Sequence, residues 1–320
     1  MTRADTNYAH DGIATRAIHA GQEPDALTGA VSTPIYMTST FKQDGVGGLR
    51  GGYDYSRSVN PTRTSFDEQL AAVEGAAFSM SFSSGLAAID VLLRATMRPG
   101  DSILIGNDVY GGTYRLLSKV FVPWGVELDV VDATDVAALN AALGAKSYRY
   151  VWVETPSNPL LGITDIALTA QLAHEHGTKV VVDNTFASPI LQHPLADGAD
   201  AVVYSTTKYI GGHSDVVGGA VLVNDPEVAD AVAFLQNAAG AVPSPFDSWL
   251  ARHSRIENTW PARAQTQCEC LGNRAMAGTP PRDRARLVPG PRVPSGSRDR
   301  RAANAWRFRR HDLSATCRRP

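Results

Sequence analysis

Short apolar segments alternate with amphipathic helical segments through most of residues 78–240. Strands are expected at 102–105, 126–131, 150–153, 179–182 and 201–203, and helical periodicity follows most of them. Because parallel strands need a crossover connection, this alternation predicts an α/β fold with a mostly parallel sheet and helices on both faces. Polar clusters fall at the carboxyl ends of the strands, which is where such sheets bind ligands.

Several helix boundaries can be assigned from local signals. Asn60 and Pro61 begin a helix that Gly75 ends. Thr164 is expected to cap a helix that carries Ile166 and Ala170, since threonine hydroxyls accept from free amides at a helix start. Residues 1–52 lack strong periodicity, and we expect an extended arm that packs against a neighbouring molecule.

The stretch from Ala201 to Gly219 contains the most informative lysine. A buried strand runs into Ser205, Thr206, Thr207 and Lys208, and a turn of small residues follows. A lysine at this edge that loses its proton through burial can attack a carbonyl carbon and form a Schiff base. The hydroxyl groups beside it can donate to a phosphate. A solvated lysine at a strand end is the alternative interpretation.

Other strand ends supply complementary groups. Ser83, Ser84 and Gly85 form a turn into a helix start, whose free amides favour a phosphate. Asp183 ends one strand and can pair with a protonated pyridine nitrogen. Tyr110 can stack on an aromatic ring. Together with Lys208, these residues describe a pyridoxal phosphate (PLP) site, although each alone has a structural explanation such as a cap, a turn or a core residue.

The ends of the 320-residue chain differ from its middle. The first residues are polar and no apolar run approaches the roughly 20 residues that span a bilayer, so we expect a cytoplasmic protein without a membrane partner. Residues 251–320 contain 16 arginines, no lysine and 5 acidic residues, whereas the preceding residues carry a net charge of −13. Cys268 and Cys270 lack the usual spacing of a zinc site, and we expect no metal.

Six motifs of this sequence occur in order in one enzyme family. They are YSRSVNPT at 55–62, SSGLAA at 83–88, YGGT at 110–113, ETPSNP at 154–159, VDNTFASP at 182–189 and STTKYIGGHSD at 205–215. Over roughly residues 12–250 the chain resembles the Cys/Met metabolism family of fold-type I PLP enzymes, which includes the cystathionine γ-synthase and γ-lyase group. The resemblance implies a PLP-dependent transferase fold.

The resemblance also implies roles for individual residues. Lys208 would be the Schiff-base lysine and, with Tyr110, a catalytic residue. The cofactor would be bound by a larger set, in which Tyr55 and Arg57 reach the phosphate in the neighbouring subunit: Tyr55, Arg57, Gly85, Leu86, Tyr110, Asn158, Asp183, Ser205, Thr207 and Lys208. A homodimer or homotetramer is therefore expected.

Within the family, residues 47–57 and 234–247 are most similar to actinobacterial γ-synthases. The implied reaction is γ-replacement, in which O-succinyl- or O-acetylhomoserine and cysteine give cystathionine. γ-Lyases and O-acylhomoserine sulfhydrylases share the same motifs and remain alternatives. A different class, an inactive PLP-fold protein with a basic nucleic-acid-binding tail, is disfavoured because no nucleic-acid motif accompanies the arginines, and we expect no such partner.

The resemblance fails after residue 250. We expect three parts: the arm at 1–52, a large PLP-binding domain at 53–250, and an Arg/Pro-rich tail at 251–320. The family's smaller C-terminal domain, which supplies an arginine for the substrate carboxylate, is not recognisable in the tail. Its composition is what out-of-frame translation of a GC-rich gene produces, and its weak apolar pattern predicts disorder. A divergent small domain is the alternative.

Overall fold

A computed structural model of the chain describes Tyr8 and residues 10–252. Its centre is a seven-stranded sheet in the order β1-β7-β6-β5-β4-β2-β3. The strands are β1 (Phe78–Phe82), β2 (Ser102–Gly106), β3 (Glu127–Val131), β4 (Tyr150–Glu154), β5 (Lys179–Asp183), β6 (Ala201–Tyr204) and β7 (Gly219–Val223). β7 runs antiparallel to both of its neighbours, and the other pairs are parallel. The expected mostly parallel α/β sheet is confirmed.

Helices precede, separate and follow the strands along the chain. They are α1 (Ile13–His19), α2 (Pro61–Glu74), α3 (Gly85–Thr96), α4 (Gly111–Leu116), α5 (Val122–Trp124), α6 (Val136–Ala145), α7 (Ile166–Glu175), α8 (Ser188–Leu191), α9 (Pro226–Ala239) and α10 (Pro245–Ala251). One π-helical turn, Leu117–Phe121, joins α4 to α5. None of the described helices is both long and apolar enough to cross a membrane.

Each face of the sheet has its own apolar core. On β4, Trp152 belongs to the core that includes residues of α3 and α9, whereas Val151 and Val153 belong to the core formed with α6 and α7. Successive side chains of a strand point to opposite faces, so a strand buried on both faces is apolar throughout. The helices therefore cover both faces, as the sequence predicts.

The helix ends follow local chemistry with one correction. The Asn60 side chain accepts from the Thr62 amide at 3.0 Å, and Gly75 ends α2 in the left-handed region. At α7 the cap is Asp165, which accepts from the Leu168 amide at 3.0 Å, and the expected cap Thr164 is wrong. Thr164 is buried and its amide donates to the Thr155 hydroxyl at 3.1 Å, so the next side chain caps the helix.

The first part of the N-terminal arm packs on its own chain. α1 buries Ala17 against α2, and Gln69 Nε2 donates to the Ala17 carbonyl. The buried Arg252, at the end of the described chain, donates to the Ala20 carbonyl at 3.0 Å. α1 therefore packs on its own chain, and the packing of the arm on a neighbour stays a prediction. Farther along the arm, apolar side chains such as Leu27 and Val46 are exposed.

Candidate cofactor site

The candidate lysine lies four residues beyond β6. The Lys208 amide donates to the Ser205 carbonyl at 3.1 Å, and the Gly212 amide donates to the Lys208 carbonyl at 2.6 Å, so the loop turns tightly here. The Lys208 side chain is exposed. Burial was the reason for expecting this lysine to lose its proton, and the described residues do not bury it. The loss of the Lys208 proton therefore stays a prediction.

The expected phosphate turn forms at the start of α3. Ser84 caps the helix by accepting from the Ala87 amide at 3.1 Å, which leaves the amides of Gly85 and Leu86 at the helix start. Gly85 lies against Ser205, since a Cβ added at Gly85 would be 2.8 Å from Ser205 Cβ. Glycine is required for this close approach. Helix amides and a serine hydroxyl therefore meet at one point.

The Thr207 hydroxyl is hydrogen-bonded within its own chain. Its hydroxyl donates to the Gly218 carbonyl at 3.1 Å and accepts from the Gly218 amide at 3.0 Å. The hydroxyl thus ties the Lys208 loop to the segment that leads into β7. Its proton is already engaged, so donation to a phosphate requires that it leave the Gly218 carbonyl.

Asp183 ends β5 as a buried carboxylate. Its Oδ1 accepts from the Thr185 amide at 3.1 Å. Burial raises the pKa of Asp183, and the Thr185 hydroxyl and amide lower it by hydrogen bonding. The Thr185 hydroxyl also accepts from the Ser205 amide at 2.8 Å. Thr185 therefore links the carboxylate to the loop that carries the candidate phosphate-binding serine.

Tyr110 and Asn158 lie on two loops that meet at Glu154, the last residue of β4. Glu154 Oε2 accepts from the Tyr110 amide at 2.5 Å, and the carboxylate also accepts from the Asn158 amide. The Tyr110 ring is 42% exposed and covers Gly112, where an added Cβ would be 2.3 Å from the ring. Asn158 is half-buried. The structure thus brings both residues to the edge at which Asp183 lies.

Tyr55 and Arg57 lie elsewhere on the surface of the chain. The Arg57 guanidinium lies 5.3 Å from the centre of the Tyr55 ring and donates to Asn237 Oδ1 of α9 at 3.2 Å. Both residues precede α2 rather than follow a strand of the sheet. Among the described contacts, neither touches the Asp183 and Ser205 cluster.

The donor set fits PLP at three points. Asp183 is a buried carboxylate that pairs with no basic side chain of residues 10–252, so a protonated ring nitrogen would supply the missing positive charge. The start of α3 and the Ser205 hydroxyl offer donors for a phosphate. Tyr110 presents an exposed ring at this edge of the sheet, and Lys208 lies exposed on the loop after β6.

Two polar residues of this cluster are not among those predicted from the sequence. Glu154 and Thr185 both lie inside quoted motifs, at or just after the end of a parallel strand. The strand-end position is the signal that could have identified them, because polar groups at these ends converge. Their partners are backbone amides and other loops, and sequence spacing does not reveal those partners. Cys268, Cys270 and nearly all of the 251–320 tail lie outside the described residues.

The chain is similar to known enzymes over most of its length. It is 59% identical over 250 residues to cystathionine gamma-synthase of Mycobacterium tuberculosis, an alignment that covers 77% of this chain and 64% of the relative. It is 49% identical over 240 residues to cystathionine beta-lyase of Lactococcus lactis, covering 75% and 62%. The chain therefore spans less than two thirds of the length of these relatives.

Solved structures give the same picture. A crystal structure of metB from Corynebacterium glutamicum matches with a TM-score of 0.80 and 46% identity, over 86% of this chain and 71% of that one. Cystathionine gamma synthase of Xanthomonas oryzae pv. oryzae, in complex with aminoacrylate and cysteine, matches with a TM-score of 0.77 and 43% identity, over 84% and 69%. The family profile of Cys/Met metabolism PLP-dependent enzymes covers residues 14–265. The chain belongs to the family of Cys/Met metabolism PLP-dependent enzymes.

Proposed function

We propose that the protein is a PLP-dependent transferase that joins O-succinyl- or O-acetylhomoserine and L-cysteine to form cystathionine. One observation carries the proposal: the 59% identity to mycobacterial cystathionine gamma-synthase extends over 250 residues of this chain. The substrates come from those relatives' names and from the resemblance of the motifs. They are proposed here because the chain spans 64% of the relative's length.

The described residues divide the work of binding and proton transfer. Bound PLP supplies an electron sink that stabilises negative charge on substrate carbon atoms. Asp183 would hold the proton on the ring nitrogen, and the Tyr110 ring would lie against the pyridine. The amides of Gly85 and Leu86 and the Ser205 hydroxyl would hold the phosphate, and the Thr207 hydroxyl would join them on leaving the Gly218 carbonyl. Asn158 would donate near the phenolic oxygen. Lys208 Nζ would take and return the proton of the substrate carbon.

Product analysis distinguishes this reaction from its alternatives. The similarity to Lactococcus cystathionine beta-lyase, and to the cystathionine gamma-lyase of Lactobacillus plantarum at 40% identity, keeps elimination as a second candidate. The purified chain should be incubated with PLP, cysteine, and either O-succinyl- or O-acetylhomoserine. Cystathionine is expected. Separate incubations supply cystathionine alone, or sulfide with the acylated homoserine. If the chain makes no cystathionine, 2-oxobutyrate formed from cystathionine would indicate a lyase, and homocysteine formed from sulfide would indicate a sulfhydrylase.

We also propose a dimer or tetramer with shared sites. Tyr55 and Arg57 are exposed, pair with each other, and lie away from the residues of their own chain's site. They are therefore available to the phosphate bound by a second copy. Refolding an Arg57→Ala chain together with a Lys208→Ala chain should restore part of the activity, since one site of each mixed dimer is intact. No recovery in dimers of proven mixed composition would contradict the shared site.

We propose that the chain has three parts, the arm at 1–52, the PLP domain at 53–250 and the tail at 251–320. The proposed location is the cytoplasm.

We infer that the tail limits activity, because substrate binding needs a bidentate partner for the α-carboxylate. A chimera of residues 1–250 with the remaining C-terminal part of the M. tuberculosis relative should bind PLP as the native chain does. It should turn over substrate at least roughly 100-fold faster, the loss typical of an absent charge-assisted pair. Equal turnover would mean that residues 251–320 form a competent domain.

A further inference from the structure

Glu154 occupies an unusual position at the sheet edge. It is the last residue of β4, it is 8% exposed, and it lies opposite Asp183 in the register of β4 and β5. Burying a carboxyl group beside a second one costs free energy unless hydrogen bonds or an opposite charge compensate. No basic side chain among the described residues pairs with Glu154, so its local partners must explain its presence.

Those partners are backbone amides from two separate loops. The Tyr110 amide, in the loop after β2, donates to Glu154 Oε2 at 2.5 Å. The Asn158 amide, in the loop after β4 itself, donates to the same carboxyl group. The Glu154 side chain therefore ties the loop that carries Tyr110 to the loop that carries Asn158.

A small cavity borders the carboxyl group between these loops. Glu154 lines a cavity of about 30 Å³ together with Asp108 and Ser157, which is room for about one water molecule. Asp108 provides a second tie, since it accepts from the Ser157 hydroxyl and from the Leu160 amide at 3.0 Å. That tie involves Ser157 and Leu160 and leaves the amides of Tyr110 and Asn158 to Glu154.

We propose that Glu154 is a positioning residue for the cofactor, which holds the Tyr110 loop and the Asn158 loop in place against Asp183. The inference rests on the proposed PLP site and adds a residue to it. Burial and the neighbouring Asp183 raise the pKa of Glu154 to about 9, so its neutral form predominates at pH 7. A glutamine has the same shape and the same carbonyl acceptor, whereas a leucine has the size without the acceptor.

Two variants of the full chain test the proposal, and the first readout needs no PLP. In Glu154→Leu, the cofactor-free protein should lose roughly tenfold or more of the amide-exchange protection at Tyr110 and Asn158, because both donors lose their acceptor. Glu154→Gln should keep protection within a few-fold of the native chain. Unchanged protection in Glu154→Leu would overturn the proposal that Glu154 holds the two loops.

The second readout is PLP affinity, measured by absorbance titration. Glu154→Leu should bind PLP about tenfold or more weakly, and Glu154→Gln should restore native affinity. Leu139→Ala is the control: it opens the core at α6, away from the site, and should lower thermal stability without changing PLP affinity. If Glu154→Leu and Leu139→Ala lose equal PLP affinity, the positioning role of Glu154 is overturned.

The result also separates this inference from the proposed function. If the native chain fails to bind PLP, the proposed function fails and the cofactor role of Glu154 fails with it. If the native chain binds PLP and the leucine variant binds it equally well, only the role of Glu154 is overturned.

Discussion

Glu154 and Asp183 end two adjacent parallel strands at the same register, so two buried carboxyl groups lie side by side. Neighbouring strands are about 4.8 Å apart, a distance at which two buried negative charges repel strongly. The pair therefore favours a single ionised carboxylate. One negative charge at this edge matches one protonated ring nitrogen.

Lys208 is expected to be the residue that carries the cofactor. Borohydride reduction of the PLP-loaded chain, followed by peptide mapping, should find the pyridoxyl group on Lys208. Lys208→Ala should remove the visible absorbance band of the bound cofactor. Lys119→Ala is a suitable control, because Lys119 is exposed on the π-helical turn. A label on any other lysine would contradict the site.

Asp183→Asn should separate binding from turnover. The amide cannot hold a proton on the ring nitrogen, so we expect activity to fall roughly 100-fold or more in any active form of the protein, while PLP still binds. Thermal stability without cofactor should be kept or should rise, because a buried charge is removed. Asp90→Asn, on the surface of α3, is the control. Near-native turnover of Asp183→Asn would refute the role of this carboxylate.

Gly85→Ala should damage the phosphate end of the site. The added Cβ would be 2.8 Å from Ser205 Cβ, so the start of α3 and the loop after β6 must move apart. Overpacking of this kind costs about 1–3 kcal/mol, which corresponds to about tenfold or more in PLP affinity if the strain falls on the site. Gly12→Ala is the matched control, since a Cβ there meets no atom within 4 Å. If isothermal titration with PLP finds native affinity for Gly85→Ala, the start of α3 is not the phosphate site.

Glu74 should make stability depend on pH. Burial raises its pKa to about 8, and the Tyr204 hydroxyl donates to its Oε2 at 2.5 Å. In the unfolded chain the pKa is near 4.5, so the folded state retains a proton that the unfolded state releases between those values. The free energy of unfolding should therefore decrease as pH rises from about 4.5 to about 8.

The comparison with Glu74→Gln isolates this contribution. The variant has no ionisable group at position 74, so its stability should fall less steeply over the same pH range. Urea unfolding at several pH values measures both slopes. Parallel slopes for the two proteins would show that Glu74 is not the group that titrates.

The architecture could be predicted from sequence patterns alone, and the same patterns nominate most of the candidate site. Alternating apolar strands and amphipathic helices sufficed for the sheet, because both periodicities are local. Lys208, Asp183, Tyr110 and Gly85 were identified in the same way, from polar residues at strand ends together with the motifs around them. Such signals lie within a few residues of each other along the chain.

The contacts that hold these residues are visible only in the folded molecule. Asp165 rather than Thr164 caps α7, because Thr164 is paired with Thr155 across a loop. Lys208 is exposed, and the Thr207 hydroxyl is engaged by Gly218. Hydrogen-bond partners and burial depend on contacts between segments that are distant in the chain. Local periodicity contains no information about these contacts. The hydrogen bonds from the Tyr110 and Asn158 amides to Glu154 therefore become visible only in the folded molecule.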